Sequence, residues 1–189
     1  MKSSRNLTIS SNLPGMTTEL QIRQAKHSDA FAIAKVHVAV WQSHYRGTIP
    51  DVFLDNLSAE KRLEHWKIWL TEMDYGEKAI YVAQLNEKII GFISGGPCRD
   101  DETMDSEFYA IYVLSEHQGI GGGKALLSKF LEWCKTKNHQ STCCWVLEGN
   151  TSSRKFYERM GGKLSKGMTK TLTFALEDVT TVRYVWQID

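Results

Sequence analysis

Tyr109-Ala110-Ile111-Tyr112-Val113-Leu114, followed after three residues by Gln118-Gly119-Ile120-Gly121-Gly122-Gly123-Lys124, is the stretch on which the reading of this chain turns. An apolar strand runs into a glycine-rich turn, and a helix is expected over 124–137. Glycines let the backbone fold tightly without side chains in the way, so successive N–H groups point at one anion and the helix start adds its positive dipole end. Such a turn asks for a phosphorylated ligand. A nucleotide-hydrolysing phosphate loop would need Gly in place of Gln118 and a magnesium-binding Ser or Thr in place of Ala125. A dinucleotide fingerprint begun at Gly119 would need Gly or Ala where Lys124 stands. Both patterns fail.

What remains, Gln-x-x-Gly-x-Gly directly after a strand, resembles motif A of the GNAT superfamily of N-acetyltransferases, whose members bind the pyrophosphate of acetyl-coenzyme A there. A second stretch, Asn150-Thr151-Ser152-Ser153-Arg154-Lys155-Phe156-Tyr157 continuing to Gly161-Gly162, resembles motif B of the same superfamily. Two motifs in order, separated by a strand, make coincidence a poor explanation. A third segment, Val40-Trp41-Gln42-x-x-Tyr45-Arg46-Gly47-x-x-Pro50, is similar to a bacterial subgroup of uncharacterised acetyltransferases and names no substrate.

The 189 residues suit one domain able to bury a core without disulfides. A hydrophobic content of 42%, a charged content of 24% and a net charge of +1 are ordinary for a globular chain and leave no basic footprint for nucleic acid. Cys98, Cys134, Cys143 and Cys144 lack metal spacing and read as reduced core residues. The six histidines form no ligand pattern with a nearby carboxylate, so no metal is implied; His44, near Trp41 and Tyr45, reads as an exposed or satisfied histidine or as a substrate-site residue. With no secretory leader pattern and no membrane-length apolar run, a cytoplasmic protein without membrane partners is expected.

Residues 1–17, rich in Ser and Asn, read as a loose arm, and 18–189 as the folded domain. Periodicity and turn signals give a strand from Glu19, a helix capped at Ser28 and running to about Tyr45, a turn at Gly47–Pro50, and a helix capped at Ser58 that buries Leu63, Trp66 and Leu70. A hairpin of 79–83 and 88–94 follows, with Gly95-Gly96-Pro97 ending its second strand. An exposed acidic loop over 100–105 precedes a strand over 107–114. After the 124–137 helix come a strand at 142–147, a helix at 151–160 and two final strands. The resemblance implies an α/β fold with a mixed, mostly antiparallel seven-stranded sheet, splayed central strands and about four helices.

The resemblance also implies roles. Acetyl-CoA is the expected cosubstrate, held by main-chain groups of Ile111, Tyr112 and Val113, by the turn Gln118, Gly119, Ile120, Gly121, Gly122, Gly123 and Lys124, and by Asn150, Ser153 and Phe156. Gln118 stands where many relatives carry Arg, so backbone amides must supply most of the attraction. Asn150 reads either as a helix cap or as a contact for pantetheine amides, and Arg154 is a candidate for the 3′-phosphate. Amine transfer needs a base, because an amine of pKa near ~10.4 is mostly protonated at neutral pH; Glu107 is the candidate, with a solvated surface carboxylate as the bland reading. The leaving thiolate needs an acid, and Tyr157 suits it. A backbone N–H near Val113 is the expected oxyanion donor. Trp41, Tyr45 and Tyr109 are the substrate candidates, with plain core packing as the alternative for the first two.

The leading reading is direct acetyl transfer to a primary amine of a small molecule or peptide, and a hydroxyl acceptor is a variant of it. The acidic loop favours a cationic acceptor. The competing reading is a non-catalytic acyl-CoA-binding sensor or assembly module of the same fold, against which the presence of both Glu107 and Tyr157 argues. Either a monomer or a homodimer is compatible, with Val182, Tyr184 and Trp186 forming an apolar face for a partner or for the protein's own core.

Overall fold

The computed structural model describes residues 7–9, 18–99 and 103–188. Its strands are β1 (Leu7–Ile9), β2 (Thr18–Gln24), β3 (Ala79–Leu85), β4 (Lys88–Pro97), β5 (Ser106–Val113), β6 (Ser141–Leu147), β7 (Lys163–Phe174) and β8 (Glu177–Gln187). The helices are α1 (Ala30–His44), α2 (Asp51–Asp55), α3 (Ala59–Asp74), α4 (Gly122–Thr136) and α5 (Thr151–Arg159). One sheet runs in the order β1-β2-β3-β4-β5-β6-β8-β7, antiparallel throughout except where β5 meets β6. The seven strands β2–β8 form the expected mixed sheet, and β1 adds an eighth at the edge. Of the expected N-terminal arm only Leu7–Ile9 is described, paired antiparallel with β2; its other residues lie outside the described residues.

Two apolar layers cover the sheet. On one face, Leu126, Leu127 and Phe130 of α4 pack with Ile90, Ile93, Phe108, Tyr184 and Trp186. On the other, Ile33, Ala34 and Val40 of α1 and Trp66 and Leu70 of α3 cover Ile80, Val82 and Phe92. Val182, Tyr184 and Trp186 are buried in the first layer, so they cover the protein's own core.

Four local expectations need correction. The first helix is not capped by Ser28: a 3-10 turn over His27–Asp29 precedes α1, and Asp29 holds the junction. Its carboxylate accepts from the Lys26 N–H at 2.7 Å and from Arg23 at 2.6 and 3.0 Å. Helix α2 was not anticipated after the turn at Pro50, since five residues are too few to display a helical period. The segment Gly95-Gly96-Pro97 does not end β4: pairing continues to Pro97↔Ser106 across a register shift in which Ser94 faces Ala110, Gly95 faces Phe108, and Tyr109 is left over as a bulge. Of the acidic loop, residues 100–102 lie outside the described residues, and Asp105 is not a free surface charge. It accepts from the backbone N–H groups of Gln140 and Ser141, at 2.8 and 3.0 Å, and so ties the start of β5 to the start of β6.

Burial works against the Asp29 charge, but the Arg23 guanidinium and the Lys26 amide outweigh it and hold the carboxyl below its usual pKa. Asp29→Ala should therefore cost about 2 kcal/mol in urea denaturation, the scale of a charged hydrogen-bond set. A depressed folded pKa means that this contribution is complete above the unfolded value of about 3.9 and is lost as pH falls through the folded value. The gap between variant and wild type should narrow in acid.

Candidate active site

The glycine turn leads directly into α4. After a 3-10 turn at Ser115–His117, the chain passes through Gly119 at φ 79° and Gly121 at φ 89° into α4. These are left-handed conformations that a side chain disfavours. Ala125 N–H is already bonded to Gly121 O at 3.0 Å, so the N–H groups of Gly122, Gly123 and Lys124 are the ones left without an acceptor inside the helix. Among the described residues no side chain caps this helix start. A Cβ added at Gly119 or Gly121 would meet nothing within 4 Å, so the space in front of the turn is open. Three convergent N–H groups at an uncovered positive helix end fit a pyrophosphate.

The turn opens into a groove of about 340 Å³ lined by Ile111, Val113, Gln118, Gly119, Gly121, Gly122, Gly123, Lys124, Ser153, Phe156 and Tyr157, together with His117, Ser152 and Arg159. The groove exists because the sheet splits. Strands β5 and β6 pair only through Ser106↔Thr142 and Glu107↔Cys143, then diverge. Leu114 N–H bonds Ile90 O on the β4 side at 2.9 Å. Main-chain groups alternate sides along a strand, so those of Val113 and Ile111 face the gap. An extended amide-bearing ligand can bond them as an added strand would.

Gln118 sits across this gap. Its side-chain amide lies 3.2 Å from Val113 O and 3.0 Å from the His44 Nε2. His44 therefore stands beside Gln118 and apart from the cavity that Trp41 and Tyr45 line. Asn150 caps α5, its Oδ1 accepting from Ser153 N–H at 3.0 Å, and it does not line the groove. Ile120 packs against the core, and Tyr112 lines the neighbouring cavity instead. Arg154 is engaged elsewhere, donating to Glu148 O at 2.9 Å and to the Tyr184 hydroxyl at 3.4 Å. Arg159 takes the place at the groove that the sequence reading gave to Arg154. Its signal was available: Ser152, Phe156 and Arg159 fall on one helix face at i, i+4 and i+7.

A second cavity of about 160 Å³ adjoins the first, and Ile111, Ser153 and Tyr157 line both. It brings together Glu107, Tyr157, Trp41, Tyr45 and Tyr109, the five residues assigned to chemistry and acceptor. Its wall is aromatic: Trp41 meets Tyr45, Phe53 and Phe174 at 5.2, 6.1 and 5.9 Å between ring centres, so α1, α2 and the β7–β8 hairpin close over it. Trp41 Nε1 donates to the Tyr112 hydroxyl at 2.9 Å. Beside them His37, enclosed by the rings of Trp41, Trp66, Phe92 and Tyr112, is pushed by burial to a pKa of about 3 and stays neutral.

Tyr157 is packed against Phe108, Tyr184 and Trp186, and burial holds its hydroxyl well above the usual tyrosine range. It remains a protonated donor at neutral pH. Glu107 is not a solvated surface carboxylate: it is 1% exposed. Arg99 clasps it, with the backbone N–H at 3.3 Å and Nε at 3.2 Å from Oε2 and the guanidinium also on Oε1. The same guanidinium lies over the Tyr109 ring at 4.2 Å.

Residues 40–162 match the Acetyltransferase (GNAT) family. The chain is 40% identical over 134 residues to the uncharacterised N-acetyltransferase YuaI of Bacillus subtilis (strain 168), covering 69% of this chain and 73% of that one. The structure resembles the PaiA N-acetyltransferase of Thermoplasma acidophilum in complex with coenzyme A, at TM-score 0.72 and 19% identity over 89% of this chain and 98% of that one. It also resembles YncA of Salmonella typhimurium, solved with acetyl-CoA, at TM-score 0.69 and 19% identity over 90% and 94% of the two chains. At those identities the structural likeness shows the fold; the family match and the YuaI relationship carry the rest. A glycine cradle beside a split sheet and a matched domain of 123 residues lead to one conclusion: the chain belongs to the acetyltransferase (GNAT) family.

Proposed function

We propose that this protein transfers an acetyl group from acetyl-CoA directly to a primary amine of a small molecule or peptide. The observation that carries the reading is the junction of two cavities at Tyr157. On one side are the anion cradle and the outward-facing main chain of Val113, and on the other an aromatic cavity floored by Glu107. Acetyl-CoA supplies the thioester that an amine attacks. The N–H groups of Gly122, Gly123 and Lys124 hold its pyrophosphate, and the main chain of Ile111 and Val113 aligns its arm. Val113 N–H donates to a carbonyl oxygen placed in the gap, where exclusion of water strengthens the bond. Tyr157 gives its proton to the departing sulfur. Glu107 takes the proton of the incoming ammonium, directly or through water, once Arg99 releases one of its oxygens.

Free-thiol release from acetyl-CoA across a panel of amines, with the acetylated product identified by mass, tests this. Turnover on at least one primary amine is expected. Glu107→Gln should lower kcat/KM for that amine by roughly 10²-fold, the low end for loss of a general base. Its alkaline rate should recover partly, as the amine deprotonates unaided near pH ~10. Coenzyme binding without turnover on the whole panel would instead leave an acyl-CoA sensor.

A further inference from the structure

Two free thiols stand against each other beside the proposed base. Cys98 follows the end of β4 and is only partly buried, whereas Cys143 lies in β6 and is fully buried, so the expectation that all four cysteines are core residues fails at Cys98. Their sulfurs are 3.8 Å apart although 45 residues separate them. Cys143 is also the residue that faces Glu107 in the two-rung β5–β6 pairing, and Cys98 precedes Arg99, whose backbone N–H and guanidinium hold the Glu107 carboxylate. The pair therefore grips Glu107 from its strand neighbour and from its counter-ion at once.

We propose that Cys98 and Cys143 form a peroxide-oxidisable dithiol whose cross-linking displaces Arg99 and Glu107 and switches off acetyl transfer. Burial pushes the Cys143 thiol far up, so it stays protonated, and Cys98 is the sulfur that meets the oxidant. The Cys98 thiolate attacks hydrogen peroxide; an S–O bond forms, the O–O bond breaks, and hydroxide leaves. Cys143 then attacks the Cys98 sulfenic acid; the S–S bond forms, the S–O bond breaks, and the Cys143 proton leaves with that oxygen as water. Both sulfurs are oxidised by one electron each and the peroxide is reduced. Closing the gap from 3.8 Å to a disulfide length of about 2.05 Å moves the sulfurs together by more than an ångström. Cys98 sits at a strand end and Cys143 in a central strand, so the Cys98–Arg99 backbone does the moving. A misplacement of that size at a reacting group costs up to about 10²-fold in rate.

The functional half of this inference rests on the acetyl-transfer reading; the cross-link does not. Full-length protein is treated with hydrogen peroxide, capped with an alkylating agent, and mapped by mass without reduction. Wild type should lose two hydrogens, yield a peptide pair joining Cys98 to Cys143, and release thiol from acetyl-CoA at least tenfold more slowly, with recovery on dithiothreitol. Cys98→Ser and Cys143→Ala should not cross-link, and Cys98→Ser should keep its turnover through peroxide treatment. Oxidation of Cys98 without the joined peptides overturns the dithiol, and a cross-linked protein of unchanged turnover overturns the switch. Should no amine be acetylated, the mass map still decides the cross-link.

Discussion

Tyr157→Phe should lower kcat for acetyl transfer about 10²-fold while leaving the affinity for coenzyme A within about threefold, because the substitution removes the proposed proton donor and, with it, only the hydroxyl's hydrogen bond with the buried Cys144 thiol. The ring is held by Phe108, Tyr184 and Trp186, and Phe fills the same space, so the fold and the groove wall persist. The departing thiolate would have to take its proton from water instead. Since burial raises the Tyr157 pKa, its acid form is present below the ordinary tyrosine value and is lost only above it. The wild-type kcat should then show no alkaline decline below pH about 10 from this group. Stopped-flow thiol release with saturating acetyl-CoA reads kcat across the pH range, and calorimetric titration reads the coenzyme A affinity. A Phe variant retaining a third or more of wild-type kcat would remove Tyr157 from the chemistry.

Gly121→Val should weaken coenzyme A binding by roughly tenfold to a hundredfold in calorimetric titration, with little change in secondary structure. Among the described residues, nothing beyond the adjoining chain lies within 4 Å of where the new Cβ would stand, so the penalty is the φ of 89° itself. A β-branched residue there costs upwards of about 1–2 kcal/mol, and relief comes from rotating the turn and misdirecting the N–H groups that follow. Gly121→Asn separates this from simple obstruction of the ligand, because Asn tolerates the left-handed region at a side-chain size close to Val. Asn should recover most of the affinity. Equal losses for Val and Asn would point to obstruction and against a backbone-donor cradle.

These expectations differ in how much of them the chain displayed before folding. The cradle is local: strand, glycines and helix start are consecutive, and so is the cap of α5, where Asn150 and Ser153 are three residues apart. The helix capped by Ser58 and the hairpin of β3 with β4 were legible for the same reason, as was the burial of Trp66 and Leu70. Glu107 was legible as a candidate and not as an arrangement, because its state depends on Arg99 reaching it across the link between β4 and β5. The bulge at Tyr109 was hidden as well. It sends Phe108 to Phe130 on one side of the sheet and Tyr109 to Trp69 on the other, where strict alternation gives no sign of an extra residue. The aromatic wall joining Trp41, Phe53 and Phe174 draws on three elements spread over most of the chain.

By itself the sequence determined the glycine turn that runs into α4, the separate Asn150-capped helix that carries Tyr157, and hence the family and its fold. Short-range backbone geometry is set by which residues are neighbours, and glycine conformation and helix capping require no distant partner. Only the tertiary structure decided that β5 and β6 part after two rungs, that Arg99 clasps Glu107, and that the thiols of Cys98 and Cys143 meet. Each of those is a contact between segments whose approach is governed by the packing of the two layers on the sheet, a property of the whole chain that no window of neighbouring residues contains.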